Sequence, residues 1–312
     1  MRADGLAKRY SGRSGTAAVD GLSLRVRRGI LFGLVGPDGA GKTTTLRMLS
    51  SVMLPSDGQV AVLGYDTRTQ PDAVRAHIGY MPQNFSLYPD LTVAENLGFF
   101  ADIQQLPAAR KPQRIAEMLA FTRLAEFRGR RAHTLSGGMM KKLALACALI
   151  HEPEVLILDE PSTGVDPVSR RELWAILAEV VGGGVTVVVS TPYMDEADRC
   201  HEVGILYGGR MLAAGTPETL KARMPFEVLE VKATPRKTMR RVAEEAPGIL
   251  DWRPVGDTLR LSVPGNGALP GALEALDERL HAAGAEVLVL RRARQTMEDV
   301  FVHLVNTQRG AA

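Results

Sequence analysis

Short apolar runs along the first two thirds of the chain alternate with stretches of helical character. The runs LFGLV, VLIL and VTVVV, at residues 31–35, 155–158 and 185–189, predict strands buried on both faces of a sheet. The segments at residues 44–50 and 141–150, TTLRMLS and KKLALACALI, predict helices. This order of elements predicts an α/β fold whose central strands are parallel.

Two further regions differ from this pattern. Residues 84–134 contain few strand signals and several helical stretches, such as RIAEMLAFTRLAEF, which predict an inserted helical subdomain. Beyond residue 225, strand-like FEVLEVKA, TLRLSV and EVLVLRRA alternate with helical segments, which predicts a small α+β domain. The patterns divide the chain into a large domain at residues 1–222 and an accessory domain at residues 223–312.

Composition narrows the class of protein. Of the 312 residues, 45% are hydrophobic and 23% are charged, and no apolar run is long enough to cross a membrane. The first residues lack the apolar core of a secretory signal, and two cysteines are too few for a disulfide framework, so we expect a cytoplasmic protein. The net charge is +3, but charges alternate in sign along most of the chain, which predicts no nucleic-acid partner.

A glycine-rich segment lies between the first predicted buried strand and the following helix. It fits the pattern G-x-x-x-x-G-K-[ST], in which backbone N–H groups and a helix N-terminus bind phosphate. Lys42 supplies a cation for the terminal phosphates of a nucleoside triphosphate, and Thr43 offers its hydroxyl to Mg²⁺. A chance glycine-rich turn is the alternative, which the flanking strand and helix disfavour. The predicted nucleotide-binding residues here are Gly36, Asp38, Gly39, Ala40, Gly41, Lys42, Thr43 and Thr44.

A second set of polar residues follows the buried strand Val155–Asp159. Carboxylates at the carboxyl end of such a strand face the ligand crevice of an open α/β sheet. We therefore expect Asp159 to hold Mg²⁺ and Glu160 to orient or polarise the attacking water.

The segment LSGGM at residues 135–139, upstream of this strand, points to a particular family. Together with the phosphate loop it resembles the ATP-binding subunit of ABC transporters, whose signature LSGGQ lies between the two nucleotide motifs. The resemblance covers roughly residues 1 to 220. It implies a dimer in which Ser136, Gly137 and Gly138 bind the γ-phosphate of a nucleotide held by the other subunit. Met139 replaces the usual Gln, and we expect this contact to survive because the Ser and both glycines remain.

The same resemblance assigns roles to three more residues. Tyr10 resembles the aromatic residue that stacks on adenine, and Gln83 resembles the glutamine that reaches Mg²⁺ or the attacking water. Asp166 matches the loop that contacts the opposite subunit.

The family also implies membrane-spanning permease subunits as partners and a peripheral location on the cytoplasmic face of the membrane. The helical subdomain meets the permease in this family. Two interpretations are open for the apolar and aromatic residues near its start: they contact the permease, or they belong to the core. These residues are Phe85, Leu87 and Tyr88.

One position departs from the family pattern. In Ser190–Asp198, which resembles the switch segment, Pro192 stands where a histidine normally donates to the γ-phosphate. Proline has neither a side-chain donor nor a backbone N–H, so we expect tight ATP binding with slow hydrolysis. The alternative is that water or Tyr193 fills the gap.

The motifs look most like the first ATPase half of bacterial two-half drug-export ABC ATPases, and MEDVF resembles the end of their accessory domain. No second phosphate-loop pattern occurs, so we expect the complementary half to be another polypeptide, or else a homodimer. Two other functions stay open: a nucleotide-sensing regulatory subunit with poor catalysis, and a soluble ABC ATPase outside transport.

Overall fold

The computed structural model describes residues 1–10, 17–84, 87–265, 267 and 269–310, with side chains up to residue 308. The chain forms two compact units, Met1–Pro217 and Glu218–Ala312. The sequence predicted this boundary between residues 222 and 223. The short helix Pro217–Ala222 separates the two positions, since the structural boundary lies at its N-terminal end and the predicted one at its C-terminal end.

The first unit contains two sheets and the helices that surround them. Its strands are β1 (Arg2–Lys8), β2 (Val19–Arg25), β3 (Leu31–Val35), β4 (Asp57–Val62), β5 (Tyr65–Asp66), β6 (Ile78–Met81), β7 (Val155–Asp159), β8 (Thr186–Thr191), β9 (Glu202–Tyr207) and β10 (Arg210–Gly215). Its helices are α1 (Lys42–Leu49), α2 (Pro71–His77), α3 (Val93–Ile103), α4 (Lys111–Phe121), α5 (Gly137–Leu149), α6 (Pro167–Gly182) and α7 (Met194–Ala197). The short helix α8 (Pro217–Ala222) begins at the last residue of this unit, and its other residues belong to the second unit.

The larger sheet has the strand order β10-β9-β3-β8-β7-β6, and the smaller sheet has the order β2-β1-β4-β5. Strands β9, β3, β8, β7 and β6 run parallel, whereas β10 pairs antiparallel with β9. Every residue of β3, β7 and β8 is buried, as the uninterrupted apolar runs predicted. The α/β prediction is therefore confirmed. The carboxyl ends of β3, β7 and β8 are adjacent, which brings the loops that follow them together.

The predicted helical subdomain contains α3 and α4, followed by two 3₁₀ turns at Ala125–Phe127 and Ala132–Thr134. A capping box begins α3, in which the Thr92 hydroxyl accepts from the Glu95 N–H and the Glu95 carboxylate accepts from the Thr92 N–H. The segment RIAEMLAFTRLAEF was expected to be helical to its end, but α4 ends at Phe121. Arg123 adopts a left-handed φ of 57°, which ends the helix.

The second unit is built around one antiparallel sheet with strand order β12-β13-β11-β14. Its elements are β11 (Phe226–Thr234), α9 (Arg236–Glu245), β12 (Asp251–Val255), β13 (Thr258–Pro264), α10 (Leu269–Ala282), β14 (Glu286–Ala293) and α11 (Met297–Gly310). The β-α-β-β-α-β order is that of a ferredoxin-like fold. The predicted α+β class is confirmed, but β12 was not predicted. It is a half-exposed edge strand that contains Pro254, and neither apolar alternation nor β propensity marks it.

Helices α9 and α10 of the second unit cover one face of its sheet, where Leu229, Val231 and Leu261 form the core. Phe226 has the opposite parity to Leu229 along β11, and its ring lies 5.0 Å from that of His303 in α11. The third helix therefore packs against the other face.

A buried carboxylate holds the start of α11 in place. Asp299 accepts hydrogen bonds from Arg253 Nη2 at 2.7 Å, Arg260 Nη2 at 2.8 Å and the Thr296 N–H at 2.8 Å. Burial raises the pKa of Asp299, but the hydrogen bonds from Arg260 and Arg253 outweigh this effect and leave the pKa below its ordinary value. The ionised form is thus the one that stabilises the fold.

Replacing Asp299 with Ala leaves two half-buried guanidinium groups without this partner, and we expect the free energy of unfolding to fall by about 3–5 kcal/mol. Hydrogen–deuterium exchange of the β11 and β13 amides measures this loss. The pKa of Asp299 is depressed in the folded protein, so its stabilising effect is present above the ordinary aspartate pKa and is lost as pH falls through the folded value. The Ala variant should therefore lack this part of the dependence of unfolding free energy on acidic pH. As a control, exposed Glu298→Ala should cost about 1 kcal/mol or less. Equal effects of the two substitutions would contradict the prediction.

Candidate nucleotide-binding site

The loop between β3 and α1 can take its shape only because of its glycines. A Cβ on Gly36 would lie 2.3 Å from the Leu206 carbonyl oxygen, and one on Gly41 would lie 2.6 Å from the Ala18 carbonyl oxygen. Gly41 also has φ of 100°, which favours glycine, and it lies immediately before the first residue of α1. The backbone therefore turns tightly and directs the N-terminus of α1 towards the cleft beside the loop.

Lys42 is the first residue of α1, and its ammonium group is buried within this loop. Its Nζ donates to the carbonyl oxygens of Gly36 at 2.9 Å and Pro37 at 3.1 Å. The same Nζ lies 3.1 Å from Oε1 of Glu160, which is equally buried. These contacts place one cation and one carboxylate at the position where the loop would bind terminal phosphates.

Asp159, the last residue of β7, is held by two hydroxyl groups. Thr43 Oγ1 donates to Asp159 Oδ1 at 3.1 Å, and Ser190 Oγ donates to the same oxygen at 2.7 Å. Its other oxygen, Oδ2, is buried and accepts no hydrogen bond within the described part of the chain. Burial raises the pKa of Asp159. A carboxylate oxygen without a partner, beside a threonine hydroxyl, fits a hard divalent cation such as Mg²⁺.

Glu160 adopts a left-handed backbone conformation with φ of 50°, which costs about 1–3 kcal/mol in a non-glycine residue. Its N–H donates to Ser190 Oγ at 3.0 Å, and Gln83 Nε2 donates to its Oε2 at 2.9 Å. Thr163 Oγ1 lies 3.4 Å from the same Oε2. The carboxylate is therefore oriented by Lys42 at Oε1 and by Gln83 and Thr163 at Oε2.

One cleft of about 700 Å³ brings most of the predicted nucleotide residues together. It is lined by Tyr10, Ala17, Ala18, Asp38, Gly39, Gly41, Lys42, Thr43, Thr44, Gln83 and Glu160. The Tyr10 hydroxyl lies 3.2 Å from Thr44 Oγ1, so the residue predicted to stack on adenine lines the same cleft as the phosphate loop. Gly36 and Ala40 lie behind this lining, where the Gly36 N–H donates to the Thr191 carbonyl and the Ala40 N–H to the Pro37 carbonyl.

Sequence reasoning missed two contributors to this site. Ser190 bridges Asp159 and Glu160, although in the sequence it is simply the polar end of an apolar run. Lys141 is buried on α5 and donates to the Glu160 carbonyl oxygen at 3.3 Å, and burial lowers the pKa of its ammonium group. The available signal for Lys141 was its place in a pair of lysines that begins an otherwise apolar helical stretch.

Ser136, Gly137 and Gly138 lie apart from this cleft, at the N-terminus of α5. Ser136 caps the helix, because its Oγ accepts from the Met139 N–H at 3.3 Å. Ser136 and Gly137 are exposed, while Gly138 packs so closely on α6 that a Cβ there would lie 2.4 Å from Ser169 Oγ. The exposed helix N-terminus is therefore not used by the nucleotide cleft of its own chain.

Pro192 directly follows β8 and lies beside the phosphate loop, since the Gly36 N–H donates to the carbonyl of Thr191 at 3.3 Å. The polar side chains next to Pro192 in the sequence form hydrogen bonds with other residues. Ser190 donates to Asp159, and Thr191 Oγ1 contacts Glu196 and accepts from the Tyr193 N–H. The Tyr193 ring lies against a guanidinium group, with Arg170 Cζ 4.8 Å from the ring centre.

Comparison with known proteins identifies the family. A profile described as "ABC transporter" matches residues 19–163. The daunorubicin resistance ATP-binding protein DrrA3 of Streptomyces coeruleorubidus is 37% identical over 98% of this chain and 96% of its own length. The chain belongs to the ABC transporter ATP-binding proteins.

Two further comparisons support the ABC assignment. "Probable multidrug ABC transporter ATP-binding protein YbhF" of Escherichia coli K12 is 40% identical over 97% of this chain, which spans about half (51%) of that relative. A solved structure of an ATP-binding subunit of an ABC transporter matches with a TM-score of 0.64 and 29% identity, over 71% of this chain and 92% of the other. The family predicted from the phosphate loop and LSGGM is thus confirmed. Among the residues that the structure describes, no helix is both long enough and apolar enough to span a bilayer.

Proposed function

We propose that this chain is the ATP-binding subunit of an ABC exporter, and that it couples MgATP binding and hydrolysis to the movement of substrate by membrane-spanning partners. The observation that carries the proposal is the convergence of Lys42, Thr43, Gln83 and Glu160 in one cleft, with Asp159 behind Thr43. Export is supported by relatives whose names refer to multidrug transport and daunorubicin resistance.

Each of these groups has a role in phosphoryl transfer to water. The loop N–H groups and Lys42 hold the β- and γ-phosphates, while Thr43 and Asp159 would hold Mg²⁺, which neutralises charge on the phosphate oxygens. Glu160 accepts a hydrogen bond from the attacking water and orients it in line with the γ-phosphate. Gln83 fixes the carboxylate of Glu160 through its 2.9 Å hydrogen bond and lies where it could also reach Mg²⁺ or the water.

The exposed signature segment supports a dimer. Ser136 and Gly137 present a capped helix N-terminus to solvent, and a helix N-terminus favours an anion such as a γ-phosphate. In the proposed dimer this segment completes the site of the opposite subunit. The partner is a second ABC ATPase with a complete switch segment, or a second copy of this chain.

The surroundings of Pro192 support a weakened hydrolytic site. The side chains of Ser190, Thr191 and Tyr193 are each engaged by another residue. The contact of the Tyr193 ring with Arg170 favours a missing donor over its replacement by Tyr193. Losing one such donor typically lowers turnover by about 10²–10³-fold and affects ground-state binding little.

A groove of about 480 Å³ beside the helical subdomain supports docking of a membrane subunit. Leu87 and Phe100 line the groove, and so does His151, whose Nδ1 is buried and without a hydrogen-bond partner in the described part of the chain. Tyr88 is 44% exposed and packs edge-on against Phe99. Phe85, the third residue predicted for this contact, lies outside the described residues.

The test measures MgATP binding and phosphate release by the full chain, alone and reconstituted with permease and ATPase subunits encoded beside it. We expect binding without partners, slow release by the chain alone, and faster release in the complex. Failure to bind MgATP would reject the proposal, and fast release by the chain alone would reject the weakened site. Binding without single-turnover hydrolysis in the complex would favour a regulatory subunit, and failure to associate with membrane subunits would favour an ABC ATPase outside transport.

A further inference from the structure

Another buried carboxylate, close to the nucleotide site but outside its cleft, joins three segments of the first unit. Glu196 is completely buried on α7. It accepts hydrogen bonds from Ser162 Oγ at 3.0 Å, Arg170 Nε at 2.7 Å and Trp174 Nε1 at 3.0 Å, and a short one from Thr191 Oγ1. Four donors satisfy one carboxylate, which offsets the large penalty for burying its charge.

The two oxygens of Glu196 face different parts of the fold. Oε1 accepts from Arg170 and Trp174, which both belong to α6. Oε2 accepts from Ser162, in the loop that follows β7, and from Thr191, at the end of β8. Oε1 thus anchors Glu196 to α6, and Oε2 holds the loop after β7 and the end of β8, which both border the nucleotide site.

The position of Ser162 connects this cluster to the reaction, because Ser162 lies two residues after Glu160. On the other side of Glu160, its own N–H donates to Ser190 Oγ at 3.0 Å. The left-handed backbone of Glu160 is therefore held on both sides. Ser190 binds its N–H, and the hydrogen bond from Ser162 to Glu196 fixes the chain that follows it. A strained backbone persists only where its surroundings over-determine it in this way.

We propose that Glu196 is a positioning residue for Glu160: through Ser162 it holds the loop after β7 so that the carboxylate of Glu160 points at the attacking water. The inference rests on the proposed hydrolytic function. Glu196 is not among the residues that line the nucleotide cleft, so its effect falls on the rate of hydrolysis and not on the affinity for MgATP. A displacement of about 1 Å at a reacting group lowers the rate by about 10²-fold.

Two substitutions form a matched pair that separates positioning from general stabilisation. Ser162→Ala and Trp174→Phe each remove one hydrogen bond to Glu196, the first on the loop side and the second on the helix side. We expect Ser162→Ala to lower the single-turnover rate of the full chain about tenfold while the Kd for MgATP changes less than about twofold. Trp174→Phe also leaves a cavity, so it should lower stability at least as much as Ser162→Ala, yet leave the rate within about twofold of wild type.

Substitutions of Glu196 itself provide a second, independent measurement. In Glu196→Gln the amide oxygen can still accept from Arg170 and Trp174, and the amide N–H groups can donate to the hydroxyls of Ser162 and Thr191. We expect Gln to retain most of the rate and Ala to lose about 10- to 100-fold, again with the Kd for MgATP nearly unchanged.

The inference is overturned if Ser162→Ala and Trp174→Phe change the rate equally, or if Ser162→Ala raises the Kd for MgATP in proportion to its loss of rate. In either case Glu196 would be a structural group without a specific effect on Glu160. If wild-type protein binds MgATP and hydrolyses it, this result leaves the proposed function intact. If wild-type protein does neither, the proposed function and the inference about Glu196 both fail.

Discussion

Replacing Glu160 with Gln is expected to lower the single-turnover rate of ATP hydrolysis by about 10²–10⁴-fold, the usual contribution of a positioned base. The amide has nearly the shape of the carboxylate, and its oxygen can still accept from Gln83. Removing the negative charge 3.1 Å from Lys42 Nζ frees that cation for phosphate, so the Kd for MgATP should stay the same or fall. Rate and affinity are measured by phosphate release with excess enzyme and by calorimetric titration.

The matched control is Glu152→Gln, which removes an exposed carboxylate that pairs with Arg110 far from the cleft. We expect its rate and its affinity for MgATP to equal those of wild type. A rate for Glu160→Gln within a few fold of wild type would mean that another group orients the water. A large loss of affinity for MgATP would instead place Glu160 among the binding groups.

Most of the residues predicted for the nucleotide site meet in one cleft because their motifs are local. The strand before the phosphate loop, the helix after it and the apolar strand that ends in two carboxylates are each set by fewer than about ten consecutive residues. Because β3, β8 and β7 are adjacent and parallel, those local segments meet at one edge of the sheet. The elements that hold these residues could therefore be predicted from short segments of the sequence.

The contacts that tune this site were not predictable in the same way. Lys42 and Glu160 meet at 3.1 Å, and Ser162 and Glu196 at 3.0 Å, across long separations in the chain. Nothing in the immediate neighbourhood of Glu196 distinguishes it from the adjacent exposed acids Asp195 and Asp198. Only the packing of α7 against α6 and the β7 loop makes one of these three acids a buried acceptor of four bonds. Strand β12 of the second unit was missed for a related reason, since its pairing with β13 outweighs its weak local signal.

Introducing a donor at position 192 is expected to raise the rate of hydrolysis. In Pro192→His the imidazole would stand directly after β8, beside the phosphate loop to which Thr191 is bonded. A preorganised donor to the transferring phosphoryl group contributes about 10²–10³-fold to turnover, so we expect a gain approaching about 10²-fold in the single-turnover rate. The Kd for MgATP should change much less, because the new contact strengthens as charge develops in the transition state.

Pro192→Ala distinguishes the missing donor from the rigidity of the proline ring. Alanine restores a backbone N–H and relaxes φ but offers no side-chain donor, so its rate should stay close to that of wild type. If the Ala and His variants were both fast, the restraint imposed by proline would be the cause of slow turnover. If neither variant were faster than wild type, a donor at position 192 would not limit turnover, and Pro192 would only shape the turn. The gain in Pro192→His must also disappear when Glu160→Gln is added, because the donor acts on a phosphoryl group that the water oriented by Glu160 attacks.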